Sequence, residues 1–353
     1  MIKIDDSALS YLENIVEENF NSSLADSLFN EYLGLDNKNR QIQVKKNKLT
    51  FTDFALNLRN KLCLKEEHDY FDKYLMKYFY SLKELSPKEF INNDYYAFLN
   101  SIPTSGKIEN GIYLPNEVFQ YDEKVVKQAD FYGDFTQFAY FNAPFTFKRI
   151  SKDDTTWMSI IPHEIKTFEN PIKKAKGDVL TFGLGLGYFA FMASKKENVN
   201  KIDVIEFDEE IISWFKENIY PYIPHKEKIN IIKGDALKYD FASHYDYLFI
   251  DIYHNEADGL PLYLDLIKKI KNVDSCDFWI EKTLLIYLKR FLVTSLEEMF
   301  IETDYINIEE DSFESKLISS IKTFIYNKYK IMNKEHLDSL LSFDGLRELA
   351  KSI

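Results

Sequence analysis

Glycine is scarce in this chain, with 11 among 353 residues. Gly177, Gly183, Gly185 and Gly187 nevertheless share one short window. Glycine is needed where backbone turns tightly or approaches a ligand, so that window is the first candidate for a site. Cysteine is scarcer still. Cys63 and Cys276 lie far apart, and two cysteines build neither a disulfide framework nor a zinc knuckle. The 6 histidines are scattered without a His-x-x-x-His pair, so no metal site is expected. No apolar run approaches the roughly 18 residues that a membrane-crossing helix needs. The first residues, MIKIDDSALSYLENIVEEN, lack a basic region followed by an apolar one. No secretory signal is read there, and a cytoplasmic protein is expected. Basic residues are outnumbered, 44 Lys and Arg against 57 Asp and Glu, for a net charge of −13. That balance speaks against non-specific nucleic-acid binding, though a local basic patch stays open.

What the chain does have is aromatic bulk. Phe, Tyr and Trp make up 16% of it, enough large rings to build a sizeable core. Its 45% hydrophobic content excludes wholesale disorder. The length, at about 100–200 residues per domain, suggests about two domains.

The first stretch, 1–105, reads as a helical domain. Ala8, Leu12, Ile15, Val16 and Phe20 recur at helical spacing. Leu24, Leu28, Phe29 and Leu33 suggest a second helix stopped by Gly34. Phe54, Ala55, Leu58 and Leu62 suggest a third behind Thr52 as a cap. Phe71 through Leu82 reads as a fourth helix, and Ser86-Pro87 opens a fifth. Residues 106–155 form a β-prone connector, with short strands or a hairpin in Phe131–Phe147. In 156–353 strand and helix alternate. The expected strands are Val179–Phe182, Ile202–Ile205, Ile229–Ile232, Tyr247–Ile250 and Phe278–Ile280, with a further one at Tyr305–Ile308. Helices are expected over Tyr188–Ser194, around Ile211–Phe215, near Leu262–Ile270 with Pro261 in the first turn, and from Leu284 to about Phe300. Such alternation favours a parallel sheet covered by helices.

Four strand ends carry candidate ligand groups. Val179-Leu-Thr-Phe-Gly183-Leu-Gly185-Leu-Gly187 is a glycine-rich turn from strand to helix, where backbone amides can meet a ligand. Glu206 ends the next strand about 20 residues on, a spacing that suits hydrogen bonds from ribose hydroxyls. Gly234-Asp235-Ala236 closes the third strand, and Asp235 can accept from an adenine amino group or cap a turn. Asp251 ends the fourth. Ligands of open α/β sheets sit outside such strand ends.

From about Trp157 to Glu281 these motifs resemble a class I S-adenosylmethionine-dependent methyltransferase, and the arrangement is also similar to the spermidine synthase-like branch. The resemblance implies an α/β fold: a Rossmann-like domain, mostly parallel sheet with helices on both faces, behind the helical N-terminal domain and β connector. It implies S-adenosyl-L-methionine as cofactor. Gly183, Leu184, Gly185 and Gly187 would meet its methionine part, Glu206 and Phe207 its ribose end, and Asp235 and Ala236 its adenine. Two departures stand out. His254 occupies the place of the second carboxylate of the Asp-x-x-Asp-Pro motif of spermidine synthases, and the Asn/Asp-Pro-Pro-Tyr motif of amino-methylating enzymes is absent.

Methyl transfer needs alignment and, for some acceptors, a base. Asp251, Tyr253 and His254 are the catalytic candidates. His254 is either a base near neutrality or a loop residue bonded locally. Tyr253 either stacks on substrate or covers the core. Asp251 orients an amine of cofactor or substrate, or meets a metal, for which no companion ligands are seen. Trp157, Met158 and Glu164 either line the pocket or pack beneath the N-terminal domain. Lys173, Lys174 and Lys176 read as a solvated face. The expected reaction is methyl transfer to a small-molecule acceptor, with neither nucleic acid nor membrane as partner and a homodimer left open. The alternatives are a spermidine synthase-like aminopropyltransferase and a non-catalytic nucleoside-binding or interaction protein.

Overall fold

The computed structural model describes residues 2–44, 48–62, 68–102, 108–126, 133–152, 155–301 and 311–353. Cys63 and the expected strand at 305–308 lie outside them, as does the Trp157 side chain. Five parallel strands form the central sheet: β1 (Gly177–Phe182), β2 (Val199–Glu206), β3 (Ile229–Lys233), β4 (Tyr247–Ile250) and β5 (Cys276–Phe278). Their order is β3-β2-β1-β4-β5. This is the Rossmann-like arrangement, in which the chain reverses direction across the sheet between β1 and β4. The fifth strand lies earlier than the expected Phe278–Ile280, because Cys276 and Phe278 pair with Leu248 and Ile250 of β4.

Helices α1 (Pro162–Lys174), α2 (Tyr188–Ser194), α3 (Glu209–Asn218), α4 (Glu256–Leu266) and α5 (Glu281–Phe300) accompany the sheet. Val179, Leu180, Phe182, Leu248, Phe249 and Ile250 are all buried, as strands covered on both faces require. Helix α4 begins at Glu256, a few residues before the start expected around residues 259–261. Asn255 caps it, accepting from the amides of Ala257 and Asp258, while Asp258 reaches back to the Asn255 amide. Pro261 therefore sits inside the helix rather than in its first turn.

The N-terminal region departs further from expectation. Asp6–Leu33 is one helix of 28 residues, not two. Its polar middle does not break it, because Asn21 and Ser22 are buried and bonded. The Tyr70 hydroxyl donates to Asn21 at 2.6 Å, and Ser22 donates to Asp134 at 3.2 Å. The helix over Phe51–Lys61 is capped by Thr50 rather than Thr52, since Asp53 stands three residues after Thr50 and returns the bond. Where a fourth helix was expected, a wide helical turn (Phe71–Leu75) and a tight one (Met76–Phe79) lead into a strand, Leu82–Leu85. That strand runs parallel to Asp134–Phe141, whose other neighbour is Val118–Val126. Ile108–Tyr113, Phe145–Lys152 and Thr155–Ser159 form a separate antiparallel sheet.

The long helix joins two cores. Ala8 and Leu12 belong to the core around the parallel sheet. Ala25, Phe29 and Tyr32 belong to a smaller aromatic core with Phe54, Phe79 and Phe138. A buried ion network pins the join. Arg290 of α5 donates to Asp26 and to Asp134, each at 2.6 Å, and Lys124 also pairs with Asp26. Lys124 lies 3.6 Å from Glu256, the first residue of α4, so the network reaches the segment after β4.

Candidate active site

A cleft of about 590 Å³ opens at the carboxyl edge of the parallel sheet. Backbone ladders bring the strand ends together there. The Gly183 amide donates to the Ile205 carbonyl, Gly234 to Glu206, and Asp251 to Phe182, each at 2.9 Å. The Trp279 amide continues the row, donating to Ile250 at 2.8 Å. Gly183, Glu206, Gly234, Asp251 and Trp279 therefore stand side by side along one rim.

The glycine turn is shaped for a ligand. Gly183 (φ +93°) has no room for a side chain, since a Cβ would fall 1.9 Å from the Asp251 carbonyl oxygen. Gly185 (φ +51°) is the opposite case, because nothing lies within 4 Å of its Cβ position. Its backbone faces open cleft. Gly187, also left-handed, caps α2. Among the described residues, the amides of Gly185 and Leu186 have no acceptor in the protein. Behind the turn, the buried Tyr95 hydroxyl donates to the Leu186 carbonyl and Asn93 donates to the Tyr188 hydroxyl at 3.0 Å. A helix of the N-terminal region thus holds the turn from outside.

Glu206 lines the cleft. One carboxylate oxygen accepts the Leu184 amide at 2.9 Å and the other accepts the Asp208 amide at 2.8 Å. Each keeps acceptor capacity for a ligand. Phe207, beside it, is 71% exposed at the rim. Asp235 and Ala236 also line the cleft. Asp235 caps the short turn after β3, accepting from the Leu237 amide at 3.0 Å, and pairs with Lys238 at 3.0 Å. The bonds from Lys238 and Leu237 hold its carboxyl below the usual range.

The catalytic candidates occupy different environments. Asp251 faces the cleft, and no described residue donates to its carboxyl. Burial, with the Glu206 charge adding, pushes that carboxyl up to about 7. Tyr253 lines the cleft but is buried, its hydroxyl donating to the Trp279 carbonyl and its ring packed 5.9 Å from that of Trp279. His254 is exposed at the mouth, with Nδ1 3.0 Å from Asp258 one helical turn on. Met158 and Glu164 line the cleft as well. Burial pushes the Glu164 carboxyl up to about 8, against a 3.3 Å bond from the Ile161 amide. Of the expected basic face, Lys174 pairs with Asp277 at 2.7 Å.

Three further wall residues escaped sequence reasoning: His163, Phe168 and Trp279. Burial lowers His163 to about 4, so it is uncharged near neutrality. Trp279 is anchored by its indole N–H, which donates to Thr167 at 2.8 Å. The signal for Trp279 was its place directly after β5. No described group of His, Cys, Asp and Glu could hold a metal ion, and no described helix is long and apolar enough to cross a membrane.

No family model and no curated protein matches the chain. Solved structures do match in part. The CcbJ methyltransferase from Streptomyces caelestis is 15% identical, over 30% of this chain and 46% of its own, at a TM-score of 0.24. The glycopeptide N-methyltransferase MtfA, complexed with S-adenosyl-L-methionine, is 15% identical over 30% and 48%, also at 0.24. Aeropyrum pernix fibrillarin with natively bound S-adenosyl-L-methionine is 20% identical over 28% and 40%, at 0.21. The chain spans about half the length of the solved chains it matches.

Proposed function

We propose that the chain is an S-adenosylmethionine-dependent methyltransferase acting on a small-molecule acceptor. The observation behind this reading is the juxtaposition of Glu206 with a glycine turn whose amides are free. A carboxylate at the end of β2 suits two ribose hydroxyls, and unpartnered turn amides suit the methionine part. The exposed ring of Phe207 offers a face for adenine between Glu206 and Asp235. The cleft volume falls within the roughly 300–1,000 Å³ of small-molecule sites. The open space at Gly185 is the cradle that such a ligand would fill.

When bound, the cofactor supplies a methyl group on a sulfonium. The chain's own residues then align an acceptor and accept its proton. Asp251, on the rim without a protein partner, is placed for that proton. His254 at the mouth is a second candidate, held by Asp258.

Titration calorimetry with S-adenosylhomocysteine tests the reading. Saturable binding that is weakened in Glu206→Ala supports it, and no binding at millimolar ligand overturns it. A second reading, aminopropyl transfer from decarboxylated S-adenosylmethionine, draws on one observation. No Lys or Arg among the described residues lines the cleft to meet a cofactor carboxylate. Product mass from the two donors separates methyl from aminopropyl transfer.

A further inference from the structure

The charges around the cleft do not balance. Glu164, Glu206, Asp235 and Asp251 line it, and no described Lys or Arg does. Asp235 is matched by Lys238 from outside, and Glu206 is satisfied by two amides. His254 is paired with Asp258. Asp251 and Glu164 are left. Asp251 has no donor among the described residues, and Glu164 accepts from the Ser159 hydroxyl at 3.2 Å, the Ile161 amide at 3.3 Å and the Ser159 backbone, all neutral donors. The Asp251 charge acts on Glu164, and the Glu206 charge acts on Asp251. A buried carboxylate without a counter-ion is costly, so this end of the cleft favours a positive ligand. One sulfonium supplies one positive charge, and the amino and carboxylate groups of its methionine part cancel. That matches one carboxylate, and an ammonium ion beside it would let the second carboxyl ionise as well. Phe168, Tyr253 and Trp279 line the same cleft, and aromatic faces attract ammonium groups while packing on attached carbon.

Resting on the methyl-transfer reading above, we propose that the acceptor is an amine, bound as its ammonium ion by Asp251 and Glu164, with Asp251 as the base. The ammonium N–H proton passes to the Asp251 carboxylate, which becomes a carboxylic acid. The freed nitrogen lone pair forms the new N–C bond. The S–C bond breaks with its electrons going to sulfur, leaving a thioether and a methylated ammonium. Glu164, held neutral by burial before the amine binds, releases its proton to solvent as the ammonium binds and then positions the nitrogen. An alcohol or thiol would leave the second carboxylate unmatched, and a carboxylate or phosphate acceptor would be repelled.

The protein saturated with S-adenosylhomocysteine is titrated with n-butylamine, benzylamine and phenethylamine, and with the matched alcohols and carboxylates. Binding of S-adenosylhomocysteine itself reports separately on the cofactor reading. The expected result is saturable binding of at least one amine and of none of the matched compounds. Glu164→Gln is expected to weaken that amine tenfold or more while S-adenosylhomocysteine affinity stays within twofold, which also shows that the variant folds. Equal binding of the alcohols, binding of no amine, or unchanged amine affinity in Glu164→Gln overturns the proposal. So does weakened S-adenosylhomocysteine binding in Glu164→Gln with amine affinity intact, because Glu164 would then serve the cofactor's own amino group.

Discussion

Glu206 accepts the Leu184 amide at 2.9 Å, so the acidic end of β2 and the glycine turn after β1 are one hydrogen-bonded unit. The carboxylate is aimed by the turn that it helps to shape. A ribose bound to Glu206 would therefore lie beside the open backbone of Gly185.

Glu206→Ala removes the acceptor of two amides as well as the proposed ribose contact. Its affinity for S-adenosylhomocysteine should fall by about 1–3 kcal/mol, the cost of leaving buried polar partners unpaired. Calorimetry that finds the wild-type affinity removes Glu206 from the ribose.

Gly183→Ala and Gly185→Ala should part company. At Gly183 the new methyl collides with the Asp251 carbonyl, so the fold itself should suffer, with a clear drop in melting temperature. At Gly185 the methyl meets nothing, and only the left-handed backbone costs about 1–2 kcal/mol. That variant should fold yet bind S-adenosylhomocysteine at least tenfold more weakly. Full affinity in a folded Gly185→Ala protein would show that the ligand does not approach there.

Stability should fall as pH rises through neutrality. Asp251 and Glu164 are pushed up to about 7 and about 8, chiefly by burial. Their neutral forms are the favoured ones in the folded chain. That stability is present in full below the usual carboxylate range near pH 4 and is lost as pH passes through about 7 and about 8. Glu164→Gln cannot ionise, so its melting temperature relative to wild type should rise from pH 5 to pH 9. A difference independent of pH contradicts the burial of that carboxyl.

His254→Ala should leave S-adenosylhomocysteine binding unchanged, because the ring stands at the mouth and pairs with Asp258 rather than with the turn. If His254 carries protons, turnover should drop by about a hundredfold. Initial rates equal to wild type would exclude it from the chemistry.

Asp134→Ala would leave Arg290 without its buried partner, with only the half-buried Asp26 remaining. Breaking a buried pair by removing one side costs about 3–5 kcal/mol. Denaturant unfolding should show a loss of that size, and a loss below about 1 kcal/mol would mean that the network does not hold the join.

The parallel sheet was legible because its signals are local. Alternating apolar runs and helical stretches reveal β1 to β4 within a few residues, and the glycines mark the turn. Boundaries were less legible where a distant partner decides them. β5 ends at Phe278 because β4 ends at Ile250 beside it. The strand Leu82–Leu85 reads as helix in sequence, and only its parallel pairing with Asp134–Phe141 makes it extended. The helix runs on through Asn21 and Ser22, where the Tyr70 hydroxyl donates to the Asn21 side-chain oxygen and Ser22 donates to Asp134.

The sequence by itself determined the fold class and the strand ends that meet at one rim, since period and glycine spacing act over a few residues. Only the tertiary structure decided what each carboxylate experiences there. Asp235 is matched by Lys238, Glu206 by two amides, and Asp251 and Glu164 by no cation. Charge and burial are sums over neighbours brought from distant segments, and spacing along the chain does not contain them.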